Sequence, residues 1–198
     1  MGKGRLEAFS DGVLAIIITI MVLELKAPEE NAEWSELVKL WPKFLAYLLS
    51  FIYVGIYWIN HHHLFHSVTR VNGVVLWANL ALLFCLSLVP FAADWMGETS
   101  FSANPVMLYG MVLVLCGICY KILYRALYHI HDEDSVLHLA SEKKGALKAT
   151  ISINLQIAGV IVAYFYPSAG MVLYAIVVIW WVVPNRKVED LLKSEANA

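Results

Sequence analysis

The sequence predicts an all-α integral membrane protein with six membrane-spanning helices and both termini in the cytoplasm. Three observations carry that prediction. Apolar residues make up 60% of the 198, while charged residues make up only 15%, against about 25% in soluble domains. Mean hydropathy is +0.66. The apolar residues also fall into runs of the length a helix needs to cross a ~30 Å hydrocarbon core. Finally, lysine and arginine are divided unequally between alternate connecting segments, which sets orientation.

The first span covers 8–25 and opens on Arg5-Leu6-Glu7-Ala8-Phe9-Ser10-Asp11-Gly12. At 100° per residue, Arg5, Phe9, Ile16, Ile20 and Leu23 form one narrow stripe, flanked by Gly12 and Thr19. Asp11 points nearly opposite and Ser10 lies between, so Asp11 is the expected buried polar handle of the other face. An ionisable group in such a segment is costly unless paired, which marks a functional position. An acidic loop follows, with Trp34 and Trp41 suited to an interfacial belt.

The second span, 44–59, exits through Asn60-His61-His62-His63-Leu64-Phe65-His66. The third covers 74–93 and ends at Asp94-Trp95. A polar turn leads to the fourth, 105–127, where Pro105 suits a first helical turn. Residues 129–148 form the one strongly hydrophilic loop. The fifth and sixth spans cover 149–166 and 169–183, and a charged tail occupies 185–198. With the N-terminus inside, eleven Lys and Arg lie on the inner side, and only Lys26, Lys39 and Lys43 lie outside. The first apolar run is long, its basic flank is short and no small-x-small site follows, which argues against a cleaved leader.

This topology brings Asp11, the His61–His66 cluster and Arg70 to one membrane depth. A charge-assisted network is therefore expected there, in which Asp11 meets a histidine or Arg70 and His62, His66 and Arg70 take part.

Several chemistries are disfavoured. There is no basic stripe, zinc-finger spacing or aromatic platform for nucleic acid. His62 and His66 are four apart, a metal-ligand spacing to which Asp132 or Asp134 can add oxygen. However, His61, His62 and His63 radiate around a helix, so no metal site is expected. Cys116-x-x-Cys119 and Cys85 lie in apolar runs and suit packing. Ser10-Asp11-Gly12 lacks the Gly-x-Ser-x-Gly elbow of a hydrolase. No enzyme chemistry and no cofactor are expected.

Aliphatics in a span ordinarily face lipid or pack, so the stripe alone does not make a pore. Nor is there a Thr-Val-Gly-Tyr-Gly filter or an acid deep inside a span. The motif Arg5-x-x-x-Phe9-Ser10-Asp11-Gly12 before an Ile/Thr-rich helix resembles the lysosomal-type potassium channels, the transmembrane protein 175 family, in its bacterial branch. The run His62-x-x-Phe65-His66-x-x-x-Arg70, with Asn79 and Pro90-Phe91 downstream, is similar to the same family. The resemblance implies a potassium-permeable homotetramer in the plasma membrane, without a pore-loop filter and lined by its first helices. It further implies a hydrophobic constriction at Ile16, rings at Ile20 and Leu23, and the Thr19 hydroxyl nearby. Arg5, Phe9, Ser10 and Asp11 map to structural support at the cytoplasmic mouth. The rival is a proton- or cation-coupled secondary transporter using Asp11 and the His61–His66 cluster, which helices broken at midspan would favour, with Pro90 and Gly159 as hints.

Overall fold

The computed structural model describes residues 2–28, 33–131 and 143–182, with side chains in the last segment from Leu147 onward. Every regular element among them is a helix, as hydropathy predicted. In chain order these are α1 (Lys3–Leu23), α2 (Trp34–Lys39), α3 (Trp41–His66), α4 (Gly73–Ser87), α5 (Val89–Glu98), α6 (Ala103–Tyr128), α7 (Lys143–Phe165) and α8 (Pro167–Val182).

Among the described residues, five helical stretches are long and apolar enough to cross a membrane: α1, α3, Gly73–Glu98, α6 and Leu147–Phe165. The sixth expected span corresponds to α8, an apolar helix of 16 residues. At 1.5 Å per residue it is about 24 Å long.

Local chemistry sets the helix ends. Asn72 caps α4 by accepting from the Val75 N–H at 3.0 Å. Pro42 and Pro90 stand in the first turns of α3 and α5, where a missing N–H costs nothing. Ser100 and Phe101 take positive φ values of 47° and 63°. The Phe101 N–H bonds back to the Met96 carbonyl at 3.0 Å, closing α5.

The histidine run forms the last turns of α3, which reaches beyond the expected span 44–59 and ends with the run at His66. One boundary departs from the sequence-based expectation. The residues 143–148, placed in a hydrophilic loop, begin α7 instead. Asp132, Asp134 and the tail 185–198 lie outside the described residues.

At Pro90 the helix is interrupted only locally. Proline has no N–H for the ladder, so α4 ends at Ser87 and α5 starts at Val89, while Leu88 between them stays in the right-handed helical region. Gly159 interrupts nothing, because α7 runs straight through it. Neither residue unwinds a helix at midspan.

The packing centre of the α3, α6, α7 and α8 group is Tyr174, which is fully buried. Its hydroxyl donates to the Val106 carbonyl at 3.3 Å, and its own carbonyl accepts from Tyr53 at 2.9 Å. Gly110 and Gly159 make room for it. A Cβ on either would collide with the tyrosine ring or hydroxyl. Nearby, Ser50 donates to the Ala46 carbonyl at 2.8 Å and lies 3.0 Å from the Tyr109 hydroxyl.

Candidate pore-lining face of the first helix

One side of α1 is committed to the protomer. Leu6, Ser10, Leu14, Ile17 and Met21 are buried, at steps of three and four that keep them on a single face. The opposite side has no cover within the chain. Phe9 is 48% exposed, Ile16 58%, Ile20 43% and Leu23 70%. Arg5 is exposed at the start of the same face. The stripe read from periodicity is thus the outward surface of the protomer. Thr19 stands on this surface and donates its hydroxyl proton to the Ala15 and Ile16 carbonyls, both at 3.0 Å. With that proton held in the helix, the oxygen turns its accepting lone pairs outward.

Beside the stripe, a groove of about 450 Å³ runs between α1 and α5, with Pro90 in its lining. Ile16 and Ile20 form one wall and Phe91 another, with Glu24 and Asp94 at the end where α1 finishes.

The buried polar residue of α1 is Ser10 rather than Asp11, which corrects the sequence-based expectation. Ser10 sits amid Leu6, Leu14 and Ile17 and is wholly excluded from solvent, while Asp11 is half-buried on the flank. Ser10 donates to the Leu6 carbonyl at 2.9 Å, and the Asn79 amide donates to Ser10 at 2.9 Å. His61 Nε2 lies 2.8 Å from the Asn79 oxygen.

The directions in this chain are forced. A carbonyl only accepts, so Ser10 must donate to Leu6 and accept from Asn79 Nδ2. Asn79 therefore presents its oxygen to His61, and Nε2 carries the proton. Ser10, Asn79 and His61 are all at most 1% exposed, and together they join α1, α4 and α3. His61 Nδ1 has no hydrogen-bond partner among the described residues.

A second link joins α1 to α3 alone. The Trp58 indole donates to Asp11 Oδ1 at 3.0 Å, and Glu7 Oε1 lies 3.6 Å from His62 Nδ1. Glu7 and Asp11 are four apart on α1, while His62 and Trp58 are four apart in the reverse sense on α3. Antiparallel helices turn these matched spacings into two rungs of a ladder. Asp11 is bonded to a tryptophan where a histidine or Arg70 was expected. The carboxylate facing a histidine is that of Glu7. The His66 ring lies 6.0 Å from that of His62, and Arg70 is tied through its backbone N–H to His131 Nε2 at 3.3 Å.

The three cysteines pack in the interior of the bundle, with Cys85 and Cys119 sulfurs 3.6 Å apart. Among the described residues no three His, Cys, Asp or Glu side chains converge as a metal site.

Sequence reasoning missed Trp58 and Glu7 as partners. The signal was present in the paired four-residue spacings, but only knowledge that α1 and α3 touch gives it meaning. Asn79 drew notice through family resemblance alone; a lone asparagine in an apolar run has no partner until the helices are packed.

The segment carrying this geometry is the one that known proteins share. The family model described as endosomal/lysosomal potassium channel TMEM175 matches residues 5–90. A potassium channel of Chryseobacterium sp. (strain P1-3) is 51% identical over 194 residues, covering 98% of this chain and 100% of that protein. The chain belongs to the TMEM175 family. A solved structure of a lysosomal potassium-selective channel TMEM175 homologue from Chamaesiphon minutus superposes with a TM-score of 0.80 at 26% identity. That match covers 91% of this chain and 96% of the other. The endosomal/lysosomal proton channel TMEM175 of Danio rerio is 36% identical over 86 residues, which is 38% of this chain and 16% of that longer protein. Membership in TMEM175 and the apolar helices make this a multi-pass membrane protein of an ion-channel family, not of an enzyme family.

Proposed function

We propose that the chain is one subunit of a homotetrameric, potassium-selective channel of a bacterial plasma membrane, with its termini in the cytoplasm. Four α1 helices surround the axis and the ring of Ile16 forms the neck, with Ile20 and Leu23 as further rings. The observation that carries this reading is the uncovered stripe: Ile16 and Leu23 are 58% and 70% exposed while the back of α1 is buried. Closed symmetry gives such a stripe a cavity to line, which one subunit cannot enclose. The relatives named potassium channels and the potassium-selective structural neighbour support the choice of ion.

From Ile16 to Leu23 the stripe covers about 10 Å at 1.5 Å per residue. An apolar neck of this length passes ions when it is wide enough to stay wet and closes by dewetting. Filter and gate then coincide. Selectivity follows from neck radius and partial dehydration, assisted by the outward Thr19 oxygen. Arg5, Phe9, Ser10 and Asp11 hold the helix at the mouth through the bonds of Ser10 and Asp11.

Purified protein in a planar bilayer under a potassium gradient is expected to give unitary current steps. Ile16→Asn wets the neck and should raise unitary conductance by roughly fivefold, equivalent to ~1 kcal/mol of barrier, or weaken potassium selectivity. Unchanged currents would remove Ile16 from the neck. Saturable, electrically silent uptake would establish the transporter using Asp11 and the His61–His66 cluster instead. A reversal potential that follows a pH gradient would assign the current to protons.

A further inference from the structure

Near the end of α6 stand two cations four residues apart, Lys121 and Arg125, with Ile118 and Ile122 beside them. All four line a groove of about 270 Å³ between α6 and α7, whose other wall includes Thr150, Ile153 and Asn154. This end of the bundle is the one where α1 begins, because Glu7 meets His62 on α3 and the backbone just beyond α3 meets His131 just beyond α6.

Depth matters here. Lys121 lies about 27 Å along α6 from Ala103, at 1.5 Å per residue, near the far edge of a ~30 Å hydrocarbon core. Arg125 lies one turn beyond, at headgroup level. Lys121 donates to the Thr150 hydroxyl at 3.0 Å, a neutral partner. Among the described residues no carboxylate stands at ion-pairing distance from either cation. A cation at this depth is costly without an anion.

The groove opens away from the bundle, since Arg125 and Asn154 are exposed and Ile122 is 50% exposed. Toward the midplane the same surface continues apolar, through Ile118 on α6 and Ile157 and Ile161 on α7, all exposed.

We propose that this groove holds an anionic phospholipid. Its phosphate lies between Lys121 and Arg125, and an acyl chain runs inward past Asn154 along the isoleucines. Basic pockets between membrane helices recognise anionic headgroups in this way. A free phosphate has no use for the isoleucine wall, and a zwitterionic lipid brings its own cation toward Arg125.

The test is native mass spectrometry of the intact channel, released from detergent after incubation with equimolar phosphatidylglycerol and phosphatidylcholine of matched chains. Phosphatidylglycerol should be retained over phosphatidylcholine by roughly fivefold or more, the preference two cations supply. Lys121→Gln and Arg125→Gln should each lower that retention severalfold while the same spectra show an intact oligomer, and Arg125→Lys should keep part of it. Lys26→Gln, a cation lost at the opposite end, should leave it unchanged.

Equal retention of the two lipids overturns the proposal, as does an Arg125→Gln channel that binds phosphatidylglycerol normally. Inorganic phosphate displacing the lipid at millimolar concentration means an ion site instead. If phosphatidylglycerol is preferred only after amide replacement of Asp132, Glu133, Asp134 and Glu142, the groove of the unaltered chain belongs to its own acidic segment and the proposal fails.

Discussion

The first helix and the α6–α8 region are held by different means. Around Tyr174 the helices approach closely because Gly110, Gly159 and Gly170 offer no side chain to separate them. A Cβ on Gly170 would lie 2.7 Å from the Ala163 Cβ and 2.9 Å from the Gly159 carbonyl oxygen. That contact is packing, which in lipid is the main attraction between helices, because the apolar drive of water is absent. α1 instead gives only one face to the protomer and fastens its first turns with Ser10–Asn79–His61, Asp11–Trp58 and Glu7–His62. Hydrogen bonds are directional, so a few of them can fix the rotation of a helix that has little packing to do so. The scaffold is specified by volume and the proposed pore helix by polarity.

The largest stability effect is therefore expected in the scaffold. Gly110→Ala drives a methyl group against the Tyr174 hydroxyl and to 2.7 Å from Val160 Cγ2. Overpacking of this kind costs about 1–3 kcal/mol, read as a lower melting temperature of the solubilised channel. Tyr174→Phe in the same protein should recover part of it by removing the hydroxyl. Below the melting point the surviving channels should conduct normally. If they do not, the two regions are not separate.

A middle effect belongs to Asn79→Leu. It strips partners from Ser10 and His61, yet intramembrane hydrogen bonds average only ~0.6 kcal/mol. A stability loss of about 1 kcal/mol is expected, together with changed unitary conductance or open probability as α1 rotates. A loss of stability with identical single-channel records would make the network mere glue. The smallest effect is Trp58→Phe, which keeps the ring and removes the indole donor to Asp11. About 0.5 kcal/mol and a minor shift in open probability should follow. A cost as large as that of Gly110→Ala would reverse the contrast between the two regions.

Much of this arrangement is legible in sequence, and the remainder is missed for a specific reason. Hydropathy and length find the long apolar helices, and the 100° period finds the stripe of Phe9, Ile16, Ile20 and Leu23. Both depend only on local chemistry, since every backbone group must be satisfied within a helix in lipid. The same periodicity could not say whether Ser10 or Asp11 faces the protomer. A helical wheel gives angles between residues but not the direction of the neighbour, and lipid and protein interior are equally apolar.

Charge pointed to Asp11, yet the buried position went to the neutral hydroxyl, which costs less to desolvate. Pro90 drew notice in the sequence as a hint of a broken helix, but not as part of the wall of a groove beside Ile16. Sequence by itself determined the long helices and gathered Phe9, Ile16, Ile20 and Leu23 onto one face of α1; packing decided that this face is the one left uncovered. Tertiary structure decided the partners, because α1, α3 and α4 exchange hydrogen bonds only once packing has brought distant turns to one depth.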